Sequence, residues 1–437
     1  MDYRSSIERF RTNPNSEPSH VYYNATIINN NAEETGALAD DPNIYFSETR
    51  DTAIIKNSGA YEFSIVRFSL NGCGVDIPLF VPIVQLNQTA PGNVNLTEYT
   101  VNIQATVING AYPGGVSTLP ATTETDVLWI PEAQTAPVPT ASTVEVGGTG
   151  QDLSTRYYYA STFSHVVDLI NTALTTSHAS LVAYFAGLAP PVVITTTAPQ
   201  LRYDEESGLF VFYCDRFGYG GTSRTSAGGL QDENFTLYMN TNLYNLLSTF
   251  PTLRAGLSNS RTYALDVRNR FWTNIYNPVQ PTLAAGLWVQ SAQVPSNVGY
   301  WEVKQNYKST SSFWSPVESI VFTSARIPIV KEDTGEPLRF GQSNNGIAST
   351  SQSAFIGIIT DITQAGAENG FDYQTQTVYV PQGEYRMASL NGTGEIRDLD
   401  IGVFWKNRLD GKLYPIRMPN LSSVSIKMLF RRKDWSG

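Results

Sequence analysis

Cysteine is nearly absent from this chain: Cys73 and Cys214 are the two in 437 residues. Two thiols cannot build a disulfide framework, and neither has the Cys/His neighbours of a zinc site. Both are expected as small buried apolar side chains. Histidine is as scarce, at three, and His20, His165 and His178 show no metal-ligand spacing. His165 reads as an ordinary helix residue. Charged residues make up 16% of the chain, against about 25% in an average globular protein. With 41% hydrophobic and 12% aromatic residues, that excludes disorder or coiled coil over most of the length. Lys plus Arg is 29 and Asp plus Glu is 39, a net charge of −10, which excludes a general nucleic-acid-coating role. No stretch approaches the roughly 18 apolar residues of a membrane span. Residues 1–10 have no apolar signal-peptide core, so the six Asn-x-Ser/Thr sequons read as products of an Asn- and Thr-rich composition.

Catalytic signatures are missing too. There is no Gly-x-Ser-x-Gly elbow, no Cys/His nucleophile pattern and no cofactor fingerprint, so neither an enzyme nor a bound cofactor is expected. The Gly-rich stretch from Gly218 to Gly229 has no Lys and not the spacing of a phosphate loop, and reads as a flexible loop. A carboxylate pair of the glycosidase kind could form only in the fold. Asp204, Glu205, Glu206 and Asp215, around the apolar run Leu209–Tyr213, are expected in solvent instead.

What is present is β signal. Residues 21–28, 53–55, 61–70, 301–303, 319–323, 355–359, 377–380, 399–405 and 423–430 read as short strands between Gly, Pro, Asn and Ser clusters. In 61–70, Phe63 and Ile65, with Arg67, fall on one face and Glu62, Ser64, Val66, Phe68 and Leu70 on the other. Ile77–Val84 is apolar but holds two prolines, which fits an edge or extended segment. Asp410-Gly411 marks a hairpin between 403–406 and 412–416. Two helices break the pattern: Phe163, Val166, Val167, Ile170 and Leu174 behind Ser161-Thr162, and Leu243, Leu246, Leu247 and Phe250 behind Asn240-Thr241. Many strands, few helices and no fixed repeat indicate an all-β jelly-roll β-sandwich with an inserted mixed domain containing a few short helices. The boundaries drawn are a jelly roll from 19–100 and 300–437 and an insertion at 101–299, with 1–18 as an N-terminal extended arm.

That arm carries Arg4, Arg9 and Arg11 beside Tyr3, Ile7 and Phe10, an apolar edge too short to bury itself, so a partner surface is expected to order it. Arg431, Arg432 and Lys433 give the other end the same sign, and read either as an ordinary solubilising terminus, the reading favoured for this triplet alone, or as an interior-facing basic tail toward a packaged genome or an internal membrane.

Residues 46–50 with 54–57, the strand 64–69, the phrase 313–324, and the closing 400–406 and 425–427 resemble penton-type minor capsid proteins of small icosahedral DNA viruses. The polinton-like virus and virophage type is the nearest group, similar in plan to adenovirus penton base. The resemblance implies a jelly roll built from both chain ends, an outward-facing insertion, and a homopentamer at the capsid vertex. It implies as partners the chain itself and the major capsid protein of the same virus, with synthesis in host cytoplasm or nucleus and no active site. No Arg-Gly-Asp tripeptide is present, and the host receptor is not identified. The alternative is a non-catalytic receptor- or carbohydrate-binding β-sandwich of a virion or phage tail, with Trp288, Tyr300 and Trp301 stacking on the ligand.

Overall fold

The structure is a computed structural model that describes residues 18–29, 43–71, 77–85, 95–109, 117–134, 136–139, 153, 155–216, 218–219, 231–267, 273–276, 281–284, 287–290, 300–308, 314–330, 357–362, 377–379, 386–408, 411–418 and 421–433. The chain divides into two compact units, Met1–Ile77 with Pro316–Gly437, and Pro78–Ser315.

The first unit holds β1 (His20–Ile28), β2 (Tyr45–Thr49) and β3 (Tyr61–Asn71) from before the second unit. Strands β4 to β14 belong to the second unit. The first then resumes with β15 (Val317–Ser324), β16 (Gly357–Ile362), β17 (Thr377–Tyr379), β18 (Ala388–Ser389), β19 (Asp398–Asn407), β20 (Leu413–Pro415) and β21 (Ser423–Arg432). One sheet has the order β1-β21-β3-β17 with β18 also on β3; the other has β16-β15-β19-β2 with β20 on β19. Successive strands are dealt between the sheets so that the last lies between the first and third, which is the two-Greek-key arrangement of a jelly roll. The faces meet through Phe68 and Phe322, ring centroids 5.1 Å apart, edge to face. Phe63, Phe430 and Trp405 fill the same core.

The alternation read from 61–70 does not run straight through β3. The register on β21 shifts between Lys427 and Met428, which pair with Arg67 and Ile65. Val66 is thus the extra residue of a bulge, so Phe63 and Ile65 point inward before it, and Phe68 and Leu70 after it. A bulge resets which parity faces the core.

In the second unit, β4 (Leu96–Asn109), β5 (Ser117–Leu128), β8 (Gln231–Met239), β9 (Thr252–Arg254) and β10 (Tyr263–Leu265) form a sheet of order β5-β4-β8-β10-β9. A second sheet, β11-β14-β7-β6, uses β6 (Gln200–Asp204), β7 (Leu209–Asp215), β11 (Thr273–Tyr276) and β14 (Tyr300–Lys304), and β12 (Pro281–Ala284) pairs with β13 (Leu287–Gln290). Because β4 pairs along β8 and β14 along β7, the division falls at 77/78 and 315/316 and not at 100 and 300.

Helix α1 (Phe163–Ala186) is capped by Thr162, whose hydroxyl accepts from the His165 N–H. It runs a further twelve residues beyond Leu174, through Thr175, Thr176, Ser177 and Ser180, residue types with poor intrinsic helix preference. Thr172, Thr176 and Ser180 each donate to the carbonyl four residues back, while Ser177, Leu181 and Phe185 are buried. Burial of that stripe outweighs propensity. The helix touches both sheets, through Thr123 and Ser177 on one side and paired Asn171–Leu201 bonds on the other. The short α2 (Thr241–Leu246) starts behind Asn240, whose side chain accepts from the Leu243 N–H. The Phe80 and Trp314 rings, 5.3 Å apart, bring the two ends of this unit side by side, as a domain inserted into another needs. Ile77–Val84 forms only isolated bridges, Phe80 with Ala160 and Val84 with Thr97, in keeping with its prolines.

Candidate assembly site

Two groups of residues carried the functional expectation. Tyr3, Arg4, Ile7, Arg9, Phe10 and Arg11 lie outside the described residues. The description begins at Pro18, whose carbonyl accepts from the Tyr61 hydroxyl at 2.7 Å, and the next carbonyl, Ser19, accepts from the Arg432 N–H at 2.9 Å.

The basic triplet is not a loose tail. Arg431 and Arg432 end β21, the strand between β1 and β3. Arg431 stands opposite Glu62 in register and donates to its carboxylate at 3.0 Å. Lys433 donates its backbone N–H to Ala60 and its ammonium to the Leu390 carbonyl at 3.2 Å. Register brought these cations onto partners that sequence spacing could not reveal.

Two further basic residues lie on the same sheet. Lys427 lies opposite Arg67, and like charges facing across an antiparallel pair repel. The Lys427 ammonium lies 4.7 Å from the Tyr22 ring centroid, a cation–π contact that offsets part of that cost. Tyr22, with Ile28 on the same strand, is an exposed large side chain. In the sequence Arg67, Lys427 and Tyr22 read only as parts of strands or of a resembling phrase, not as site residues; alternation in 423–430 hints that Lys427 faces out. On the inner side of β1, Tyr23 donates to Glu48 of β2. Burial, and then that bond to a carboxylate, pushes its phenol up to about 12.

Residues weighed for other chemistry are occupied in the second unit. Tyr300 is 1% exposed, too buried to stack on a ligand, and Trp301 is half-buried. The side chain of Trp288 lies outside the described residues. Asp204 pairs with Lys304 at 3.1 Å, and the Ser207 hydroxyl on its carboxylate is the main reason its pKa is lowered. Asp215, expected in solvent, is fully buried and accepts from the Thr197 N–H at 3.1 Å. Glu233, 2% exposed, accepts from backbone and hydroxyl of both Thr195 and Thr196. These carboxylates clamp the extended chain after α1. Burial lowers the pKa of nearby His178 and pushes the Cys214 thiol up. His165 bonds the Ile130 carbonyl at 2.7 Å. Among the described residues no group of His, Cys, Asp and Glu could hold a metal ion.

A family model described as Sputnik minor capsid protein V18/19 matches residues 21–432. The chain belongs to this family. Structural protein V19 of Sputnik virophage is 27% identical over 135 residues, which are 31% of this chain and 57% of that protein; the chain thus matches little more than half of that relative's length. A chain in the cryo-EM structure of the Sputnik virophage aligns over 96% of this chain and 100% of its own, with TM-score 0.68 and 24% identity, a shared fold. The mavirus penton protein covers 94% of this chain at TM-score 0.48 and 13% identity. Family membership fits a structural role in a virion, and not the receptor- or carbohydrate-binding module weighed from the sequence.

Proposed function

We propose that the protein is a structural component of a virophage-type capsid, forming a homopentamer at the five-fold vertex. The observation that carries this reading is a jelly roll of both chain ends, interrupted once, between β3 and β15, by a self-contained unit in a chain matched by a minor capsid family over residues 21–432. A closed ring of identical copies uses one patch against a different one. In this arrangement the jelly roll forms the wall of the ring and meets the major capsid protein, while the insertion unit faces outward. The arm, with Tyr3, Arg4, Ile7, Arg9, Phe10 and Arg11, reaches a neighbouring subunit. Arg431, Arg432 and Lys433 lie toward a packaged genome or internal membrane. Assembly would follow synthesis in host cytoplasm or nucleus. No catalytic step and no cofactor is part of this role. Mass measurement under native conditions, paired with electron microscopy of purified oligomers, tests it. Five-fold rings are the expected result; monomers or trimers, under conditions that keep capsids intact, overturn it.

A further inference from the structure

We propose that the free edge of β1 is the docking strand for residues 1–17 of a second copy of this chain, which add there as a further strand of the sheet. This deepens the ring assembly above and rests on it for the identity of the second copy.

Among the described residues the edge has no partner and no guarding side chain. Strand β1 pairs only with β21 among the described residues, in unbroken register from His20↔Arg431 to Ile28↔Ser423. The Asn29 N–H donates to the Ser422 carbonyl, and the Ser19 carbonyl accepts from Arg432, so odd-numbered residues turn their backbone groups toward β21. The alternation of a strand then turns those of Tyr22, Asn24, Thr26 and Ile28 to the open side. Soluble proteins protect such edges with Lys, Pro, a bulge or brevity. Residues 20–28 contain no Lys, Arg, Asp, Glu or Pro, and their nine-residue ladder has no bulge. The other edges of this unit differ: β2 carries Glu48, β16 carries Asp361, and β17 is three residues long. Tyr22 is 54% exposed and Ile28 59%, leaving apolar surface at both ends of the edge.

The chain's own N-terminal segment is the fitting occupant, and a neighbour's is favoured over its own. At Pro18 the chain is held by Tyr61 of β3, on the side of β1 that faces β21 and β3, so a segment returning to its own edge would have to reverse around the start of β1. Seventeen residues at about 3.3 Å each can span some 55 Å. As a strand, residues 3–11 place Tyr3 and Ile7 on one face, apolar partners for Tyr22 and Ile28 of the receiving copy. Each copy then gives one segment and receives one, a head-to-tail contact that closes a ring.

Hydrogen exchange on the full chain tests this. In assembled wild-type protein the amides of Tyr22, Asn24 and Ile28 are expected to exchange at least about tenfold more slowly than in Thr26→Pro, which has no amide at position 26. That substitution removes an edge N–H that the unit's own ladder does not use, as edge strands tolerate. Thr26→Lys serves the same purpose if the proline variant does not fold. A synthetic peptide of residues 1–17 in excess is expected to shift wild-type mass from pentamer to monomer while the three amides stay protected. Fast exchange at those amides in intact rings overturns the inference, as does a peptide that changes neither mass nor exchange, or dimers in which β1 meets β1. If the wild type proves monomeric, the ring reading fails on its own, and protection of the same amides by the peptide still decides the docking: present, it stands; absent, it falls.

Discussion

The two units reach stability by different connectivity. The jelly roll is made by pairing distant segments, β1 on β21 and β21 on β3, so its central strand has both neighbours far away in the sequence. The insertion has local pairs, β4 on β5 and β6 on β7 with a helix between two sheets, and is completed by β8 on β4 and β14 on β7 from farther along the chain. Contacts close in sequence cost little loop entropy, while long-range pairing must be completed before it contributes. A minor capsid protein so arranged has one unit that can start folding from local pairs and one whose central pairings all join distant segments.

The largest expected effect breaks that comparison outright. Ending the chain at Met418 removes β21, which supplies Val424, Ile426, Met428 and Phe430, each 0% exposed. Calorimetry should then show the jelly-roll transition gone and a transition for the insertion unit retained. Conversely, joining residue 77 to 316 through a short linker should leave a folded β unit with native near-ultraviolet dichroism; loss of both transitions in either case would show that the units depend on each other.

Core substitutions sharpen the contrast. Trp405→Ala in the first unit and Trp129→Ala in the second remove side chains at 0% and 1% exposure, and each should cost about 3–5 kcal/mol, confined to its own unit. The Trp129 indole also donates to the Tyr157 carbonyl at 2.7 Å, so its loss adds an unsatisfied acceptor. A smaller effect is expected from Glu233→Gln, which keeps the shape but loses two of the acceptor interactions with Thr195 and Thr196. About 1–3 kcal/mol is expected, read as faster amide exchange at those two residues.

Acid should separate the units as well. Burial lowers the pKa of His178 in the folded chain, so as pH falls below about 6.5 the unfolded state takes up the proton first. The stability of the second unit is therefore full above that pH and declines below it, and His178→Gln should flatten the decline between pH 7 and 5. A transition temperature with the same pH slope in both proteins would refute this. The smallest effect belongs to Arg431→Ala. Its bond to Glu62 is half-exposed, worth about 1 kcal/mol or less, so the jelly-roll melting temperature should hardly move, which leaves any assembly defect interpretable.

The amino-acid sequence by itself determined the β class, the presence of an insertion, the low charge, and both helices, with their caps narrowed to Ser161-Thr162 and to Asn240 or Thr241. These are local properties: alternation, caps and composition act within a few residues. Only the tertiary structure decided where strands change face, which cations have partners and which edge is left open. The bulge at Val66 exists because β3 must match β21 on both sides of it; Arg431 meets Glu62, and Lys427 meets Arg67, because a register spanning some 360 residues sets them opposite each other. Asp215 looked solvated beside a turn and is buried, where it accepts from the N–H of Thr197, eighteen residues earlier in the sequence. Pairing across such separations depends on how the whole chain closes, and no window of residues carries it.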